Sequence, residues 1–507
     1  MPVTHRPRSR RRTAFSLGLT ATVALATLSG GCAATDPDSA PTFHDHPLSQ
    51  HAQNHAQHHT QQHAHGREHG HRSGRQGGDV RSPHYPVNTG TFWVSSPTDA
   101  SRRLLVEPGA AGPATATVSV DPGDPRQVWW GTGAALTDAS VGLLRDHPDA
   151  LRALYGAYAS DGARLSMLRL PLSATDFSPE PWAWAWDGTR PSPPSQETAA
   201  VDLLRGQILG LRPGLKVVTA PWTAPATMKS NHSLRGGSLA AGAETAYADL
   251  LAAQNTWLKS QGVPVFATTV GNEPEWSSDY PSMRMSDDQL VQVSRAAGPR
   301  LHTLGVRLWA LDHNWSDQAH AAASLQGAPA AYDGVAYHCY GGRPDAMAAD
   351  QVPRMVTECT GTTDGWAGTF AWDARNLVAD AVTAGSSGLM MWNLALDAAH
   401  GPVDTGSSYG CKNCRGLLTV TPEGVTREPE FYTLAHLSRA ATPGARVVSS
   451  TSTPGLAVAA FRNDDGSIGV FGQNATGTEQ VVRIEVQGGA TVSYQVRAGE
   501  LFTYRSR

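Results

Sequence analysis

The sequence predicts a (β/α)8 TIM barrel followed by a C-terminal antiparallel β-sandwich, and two textures along the chain predict it. Over residues 126–427, short apolar runs of β character alternate with longer stretches rich in Ala, Leu and Arg at helical spacing, the pattern of βα units around a parallel sheet. After about Glu428 the pattern changes to short runs of Val, Ala, Ile and Tyr separated by turns, as in Leu456 to Phe461, Ile468 to Phe471 and Val481 to Val486. That is the texture of a sandwich. A chain of 507 residues is also too long for one ordinary core, so two folded units are expected.

Taken in order, residues 1–34 read as an export signal: a basic run from Arg6 to Arg12, an apolar stretch from Ala14 to Leu28, then small residues up to Ala34. Arg11-Arg12-Thr13-Ala14-Phe15 loosely resembles a twin-arginine signal, and an ordinary secretory leader fits equally well. Cys32 follows Leu28-Ser29-Gly30-Gly31, close to a lipoprotein box with one residue too many, so a lipid anchor at Cys32 is a second reading. Either way the chain is expected to be secreted or attached at the cell surface. Residues 35–87 are poor in aliphatic side chains and crowded with His, including His55, His58, His59, His63, His65, His69 and His71. Such a segment cannot bury enough apolar surface to fold and reads as a solvated tether. Loose capture of zinc, copper or nickel by neutral imidazoles is the competing reading, without a spacing that fixes a geometry.

Residues 88–125 include the alternating run Ala114 to Val120, expected to cross over and pair with the C-terminal sheet of residues 428–507. Eight strand-like runs then follow: Trp129 to Thr137, Ser166 to Leu172, Lys216 to Trp222, Phe266 to Pro274, Val306 to Asn314, Gly334 to Tyr340, Met355 to Gly361, and Gly388 to Leu396. A barrel of this kind carries its active site at the carboxyl ends of the strands. Asp138, Asp176, Trp222, Asn272, Glu273, Asn314, His338, Tyr340, Glu358, Trp392 and Asn393 cluster there.

A net charge of −4, with acidic and basic residues nearly balanced, gives no broad footprint for nucleic acid. No nucleotide loop, zinc-protease helix or flavin fingerprint stands in the chain, so no cofactor and no catalytic metal are expected. Cys339, Cys359, Cys411 and Cys414 are an even set in a chain that looks exported, which favours bridges. A zinc site on the same four is the alternative, weakened by there being only one CxxC pair. Cys339 and Cys359 end neighbouring strands and are placed either to bridge or to stay as buried thiols, while Cys411 and Cys414 flank a short loop that a bridge would stiffen. Trp182, Trp184 and Trp186 alternate with alanine, so in an extended segment their rings face one way. They either stack on successive sugars or pack as a hairpin onto the barrel.

Hydrolysis of a glycosidic bond needs one carboxylic acid to protonate the leaving oxygen and one carboxylate to attack the anomeric carbon or activate water. Glu273 and Glu358, at the ends of the fourth and seventh runs, open onto the same barrel mouth. An ordinary strand-end Glu is more often half of an ion pair, but Asn272 beside Glu273 is placed to bond the sugar 2-hydroxyl, and Pro274 removes a backbone donor and ends the strand.

At this point Thr268-Thr269-Val270-Gly271-Asn272-Glu273-Pro274 resembles the acid/base strand of clan A, the retaining (β/α)8 glycosidases. Arg169-Leu170-Pro171-Leu172-Ser173 with Asp176-Phe177-Ser178, then Ala220-Pro221-Trp222-Thr223-Ala224-Pro225-Ala226 with Met228-Lys229, narrow the resemblance to family 30 glycoside hydrolases, the glucosylceramidase-like group. His338-Cys339-Tyr340, Thr357-Glu358-Cys359 and Trp392-Asn393-Leu394-Ala395-Leu396-Asp397 are similar to the family's later strand motifs, and Tyr432 to His436, Ser438 and Pro443-Gly444-Ala445 to its passage into the sandwich. The resemblance implies Glu273 as acid/base and Glu358 as nucleophile. It implies Asp176, Trp222, Asn272 and Trp392 around the first sugar, His338 and Tyr340 shaping the pocket, and Arg169 as a support that keeps Glu358 ionised. Thr227 and Thr132 stand where the family commonly has aromatic residues, which is expected to thin the aromatic lining.

The implied chemistry is double displacement with carboxyl groups roughly 5 to 5.5 Å apart, Glu273 having its pKa raised by burial and a nearby negative charge. The implied substrate is a β-linked glucoside, glycolipid or polysaccharide, in a glucosylceramidase or β-1,6-glucanase. A xylanase or other β-glycanase of the same family is the alternative, and a catalytically idle extracellular carbohydrate-binding protein is the rival from another class.

Overall fold

The computed structural model describes residues 90–507 apart from Tyr158 and Asp364. The export signal, Cys32 and the His-rich tether lie outside the described residues. Among the described residues no helix is long and apolar enough to cross a membrane.

Eight parallel strands close into a barrel. They are Gly131–Ala135, Met167–Pro171, Lys216–Ala220, Val265–Thr269, Arg307–Asn314, Gly334–His338, Arg354–Glu358 and Ser386–Asn393, and the eighth pairs back onto the first. Each overlaps one of the eight runs expected from the sequence, the fourth, seventh and eighth beginning one or two residues earlier, at Val265, Arg354 and Ser386. The amino-terminal half of the interior is plugged by Met167, Val218, Ala267, Trp309, Ala336, Met355 and Met390, with Trp130 stacked on Trp309 at 5.3 Å. Long and aromatic side chains fill this end, so the open end of the barrel is left to polar groups.

The fifth strand breaks its own alternation. Leu311 and Asp312 both have positive φ, 70° and 59°, and the pairing with the sixth strand slips between Leu311 and His313. Ala310 and Leu311 therefore both join the core outside the barrel, while Asp312 turns into the interior. A strict period of two from the inward Trp309 would have faced Asp312 outward.

Nine further strands build a sheet whose order, read by first residue, is Arg103, Gly90, Leu501, Ile468, Leu456, Arg446, Ala116, Gln480, Thr491. It folds over on itself as a sandwich: Phe92, next to one edge, stacks on Tyr494 of the opposite edge strand with ring centroids 3.9 Å apart. The fold is possible because the strand Ala116–Val128 is long and irregular. Val448 faces Pro125 but Ser449 already faces Asp121, so Pro122, Gly123 and Asp124 are looped out and the strand bends. That strand pairs with Arg446–Ser452 on one side and, in parallel, with Gln480–Val486 on the other.

The boundary expected at residue 428 needs correction, because Pro429–Ala440 is a helix and the sheet resumes only at Arg446. Glu428 precedes a proline at the first helical position, a start signal that the short-run texture beyond it obscures. The helix joins the two parts: His436 bonds Thr503 and Ser95, each at 2.9 Å, and Ser438 bonds Thr132 at 2.6 Å. Thr132 thus points away from the pocket, and the expectation that it thins the aromatic lining does not hold; Thr227 is exposed on the loop after the third strand. The tryptophan row packs onto the barrel. Trp182 donates to Asp138 (2.6 Å), Trp184 is buried against Trp257, and Ala185–Trp186 pairs with Pro191–Ser192.

Candidate active site

Arg169 organises the pocket. It is the third residue of the second barrel strand, one inward position above Met167, and its guanidinium is fully buried. One terminal nitrogen donates to Glu358, and the other to Asn272 Oδ1 (2.8 Å) and Asp312 Oδ2 (2.8 Å). Its flat face lies 4.6 Å from the Trp222 ring and 5.7 Å from Trp392. Trp222 and Trp392 stack on each other at 5.1 Å and form the floor. A guanidinium suits this place because it offers several donors in one plane and stacks on aromatic faces.

Asp312 is the counter-charge beneath. Besides Arg169 it accepts from Thr269 Oγ1 (2.8 Å), Thr357 Oγ1 (2.8 Å) and His338 Nε2 (3.1 Å). Burial works against its charge, but Arg169 and these donors hold the carboxyl well below the usual aspartate range. Sequence reasoning missed Asp312, together with Thr269, Thr357 and His313. The available signal was an acidic residue near the end of the fifth run, where Asn314 drew attention instead; Asn314 in fact holds the sixth loop by accepting from the Tyr340 backbone (2.9 Å).

Glu358 ends the seventh strand, as its run implied. Tyr340 donates to its Oε1 at 2.9 Å, and burial together with the Glu358 charge keeps the phenol protonated. Glu273 differs from expectation in two ways. The fourth strand stops at Thr269, and Glu273 stands four residues later in a left-handed conformation, φ 45°, with its N–H bonded to the Asp312 carbonyl (3.0 Å). Such a φ is strained for a side chain with a Cβ, and it tips the carboxyl into the pocket.

The pKa of Glu273 is also shifted downward rather than up. Burial raises it, but His313, His338 and Arg169 outweigh burial: His338 Nδ1 lies 2.9 Å from Oε1 and His313 Nε2 4.0 Å away. His338 in turn is pushed up to about 10, burial opposing and the Glu358 charge with bonds to Asp312 and Glu273 prevailing. The pair therefore holds its shared proton on the imidazole. One oxygen of Glu273, one of Glu358 and a nitrogen of His338 all lie within 4.8 Å of one another. With both His338 nitrogens acting as donors, the trio has the spacing of a metal site without the lone pairs for one.

Asp176 sits opposite, its carboxyl accepting the Cys411 backbone N–H, and is raised to about 8 by burial, then by the charges of Glu358 and Glu273. The sequence-chosen residues Arg169, Asp176, Trp222, Asn272, Glu273, His338, Tyr340, Glu358 and Trp392 are thus brought to one pocket. Tyr280, not singled out from sequence, joins Trp222 and Trp392 in the same apolar cluster. Two bridges brace the rim: Cys339–Cys359, between the residues that flank His338, Tyr340 and Glu358, and Cys411–Cys414 in the eighth loop.

A neutral Asp176 sets a pH limit. Raising the pH through about 8 ionises it and places a further negative charge beside Glu358. The rate kcat/KM on an aryl glycoside is therefore expected to fall above that pH, and Asp176→Asn to lose this alkaline limb; an unchanged limb in the variant would assign it to another group. In stability terms the protonated acid favours the folded chain fully only below the ordinary aspartate range, and the advantage is lost as pH rises through about 8.

Comparison with known proteins gives consistent relatives. The model of the glycosyl hydrolase family 30 TIM-barrel domain matches residues 130–441, and that of the family's beta sandwich domain matches residues 444–502. A Neurospora crassa protein named endo-1,6-beta-D-glucanase is 29% identical over 437 residues, covering 78% of this chain and 89% of its own length. A Caenorhabditis elegans protein named putative glucosylceramidase 3 is 23% identical over 383 residues, 68% of this chain and 72% of its own. Among solved structures, the endo-beta1,6-glucanase BT3312 superposes with a TM-score of 0.76 at 23% identity, covering 83% of this chain and 99% of its own, a likeness of fold.

Proposed function

This chain belongs to glycosyl hydrolase family 30 and is a β-glycoside hydrolase, and from that premise we propose that it is an exported β-1,6-glucanase working by double displacement through Glu358 and Glu273. The observation that carries the mechanism is the approach of one Glu273 oxygen to one Glu358 oxygen within 4.8 Å, which fits the short spacing of retaining enzymes better than the wider gap of inverting ones. The linkage rests on relatives named as endo-1,6-beta-D-glucanases that align over most of their own length. Export rests on the basic and apolar leader.

Glu358, aimed by the Arg169 and Tyr340 donors, attacks the anomeric carbon as the glycosidic C–O bond breaks. The proton for the departing oxygen is stored on His338 Nδ1, 2.9 Å from Glu273 Oε1, and passes through Glu273 as the substrate closes the pocket to water. Esterification removes the Glu358 charge, the principal favourable influence on the His338 cation, so the imidazole stays neutral and Glu273 remains a base. Water then attacks the anomeric carbon, gives its proton to Glu273, and the sugar leaves with retained configuration. The returning Glu358 carboxylate draws the proton back to His338.

The test is reducing-sugar release from β-1,6-glucan, β-1,3-glucan, xylan and glucosylceramide, with the first-formed anomer followed by NMR. Preferred cleavage of β-1,6-glucan with the β anomer appearing first is the expected result. Preference for xylan or glucosylceramide would overturn the linkage, and the α anomer first would overturn the mechanism.

A further inference from the structure

The loops after the fourth and eighth barrel strands meet above the pocket beside Glu273. Trp276 stands at that meeting. Its backbone N–H donates to the Glu273 carbonyl (2.8 Å), so the indole rides on the same tight turn as the acid/base. Its ring lies 5.7 Å from that of Tyr409 on the eighth loop, tilted by 46°, and its side chain bonds Tyr280. Trp276 and Tyr409 belong to the apolar cluster of Trp222 and Trp392, but unlike those floor residues they stay partly exposed.

Tyr409 is fixed in place. Asp279, from the Trp276 loop, accepts from Ser408 N (2.7 Å), Ser408 Oγ (2.5 Å), Tyr409 N (3.1 Å) and Ser407 Oγ. Arg235 of the third loop grips Asp404 with two bonds, Nε to Oδ2 at 3.0 Å and Nη2 to Oδ1 at 2.5 Å. The Cys411–Cys414 bridge and the bond from Cys411 to Asp176 anchor the other end of the loop. Two partly exposed aromatic rings, locked at a pocket mouth by charged latches, are preorganised to receive an apolar face. The C–H faces of a β-glucopyranose ring supply one.

We propose that Trp276 and Tyr409 form the subsite for the sugar on the leaving-group side, and that this platform makes the enzyme prefer glucan chains over simple glucosides. The side follows from chemistry. Asp176, Trp222 and Trp392 enclose the first sugar, whereas Glu273 must reach the departing oxygen, so a ring carried on its turn and open to solvent meets the departing sugar. This rests on the β-glucanase reading above and adds to it the residues that select a polymer.

The test compares wild type, Trp276→Ala, Tyr409→Ala and Trp276→Phe on β-1,6-linked gluco-oligosaccharides and on β-glucosyl fluoride, whose leaving group is one atom and touches no platform. Each alanine variant is expected to lose about tenfold or more in kcat/KM on the oligosaccharides, as for truncation of a buried binding aromatic, and to stay within about twofold on the fluoride. Trp276→Phe is expected to recover most of the loss. An equal fall on both substrates would show that the rings only support the fold, and no fall on either would show that no sugar rests there; both overturn the subsite. A wild type that cleaves the fluoride but not the β-1,6-linked chains is a failure of the linkage, seen before any variant is made.

Discussion

Glu358→Gln is expected to lower kcat by about 10⁴-fold, about 5.5 kcal/mol of barrier at 1.36 kcal/mol per factor of ten, on every substrate whatever its leaving group. In the double displacement proposed above Glu358 forms the first bond, and the pocket around it is built for a carboxylate: Arg169 and Tyr340 donate to it, and the His338 imidazole lies 3.8 Å from its Oε1. An amide in its place turns an NH2 toward one of those donors and has no charge to give. Loss of fold is not expected, because Arg169 keeps Asp312 and Asn272 as partners, so thermal melting serves as the control. Glu358→Ala with added azide should recover turnover and yield the α-glycosyl azide by direct displacement. A β product, or a variant that retains wild-type turnover, would show that some other group attacks the sugar.

Glu273→Gln should show a different dependence. Removing a general acid costs about 10²–10⁴-fold, but only where the departing oxygen needs a proton. Glucan hydrolysis should fall by that range, while the first step on a dinitrophenyl β-glucoside should be nearly spared, so that the glycosyl-enzyme accumulates and a burst appears. Azide added to Glu273→Ala should give the β-glycosyl azide. Equal losses on good and poor leaving groups would remove Glu273 from the acid role. Because His338 holds the shared proton in the free enzyme, substitution of His338 should move the pH profile in the same sense as substitution of Glu273, by leaving the carboxyl without its donor.

The barrel strands were legible because each carries a run of apolar residues bounded by polar ones, and Glu358 was legible because it ends such a run. What escaped the sequence lies where periodicity fails. Asp312 reaches the pocket through two consecutive left-handed residues, and no alternation rule anticipates a bulge. The charge state of Glu273 depends on two imidazoles from other strands, His313 and His338, whose approach is set by the folded barrel rather than by neighbours in the chain. Trp276 and Tyr409 stand 133 positions apart on loops, and only the Asp279 latch shows that they meet. The Trp182 to Trp186 row illustrates the reverse error: alternation puts the rings on one face correctly, but whether that face meets sugar or protein is decided by Asp138, Glu197 and Trp257, distant in sequence.

The looped strand Ala116–Val128 also sets a timetable. Its partners, Arg446–Ser452 and Gln480–Val486, are made about 330 residues later, which at a ribosomal pace of about 5–20 residues per second is on the order of 15–65 s. Throughout that interval Gly90–Ser95 has only its neighbour Arg103–Val106 to pair with and Ala116–Val128 has no strand partner, with apolar faces such as Phe92 and Val118 uncovered. The sheet can be completed only when the C-terminus is present, so a chain truncated before residue 446 should leave a nascent barrel carrying sticky, unsatisfied β edges. The N-terminal strands thus gain their remaining sheet partners only when the last sixty residues arrive.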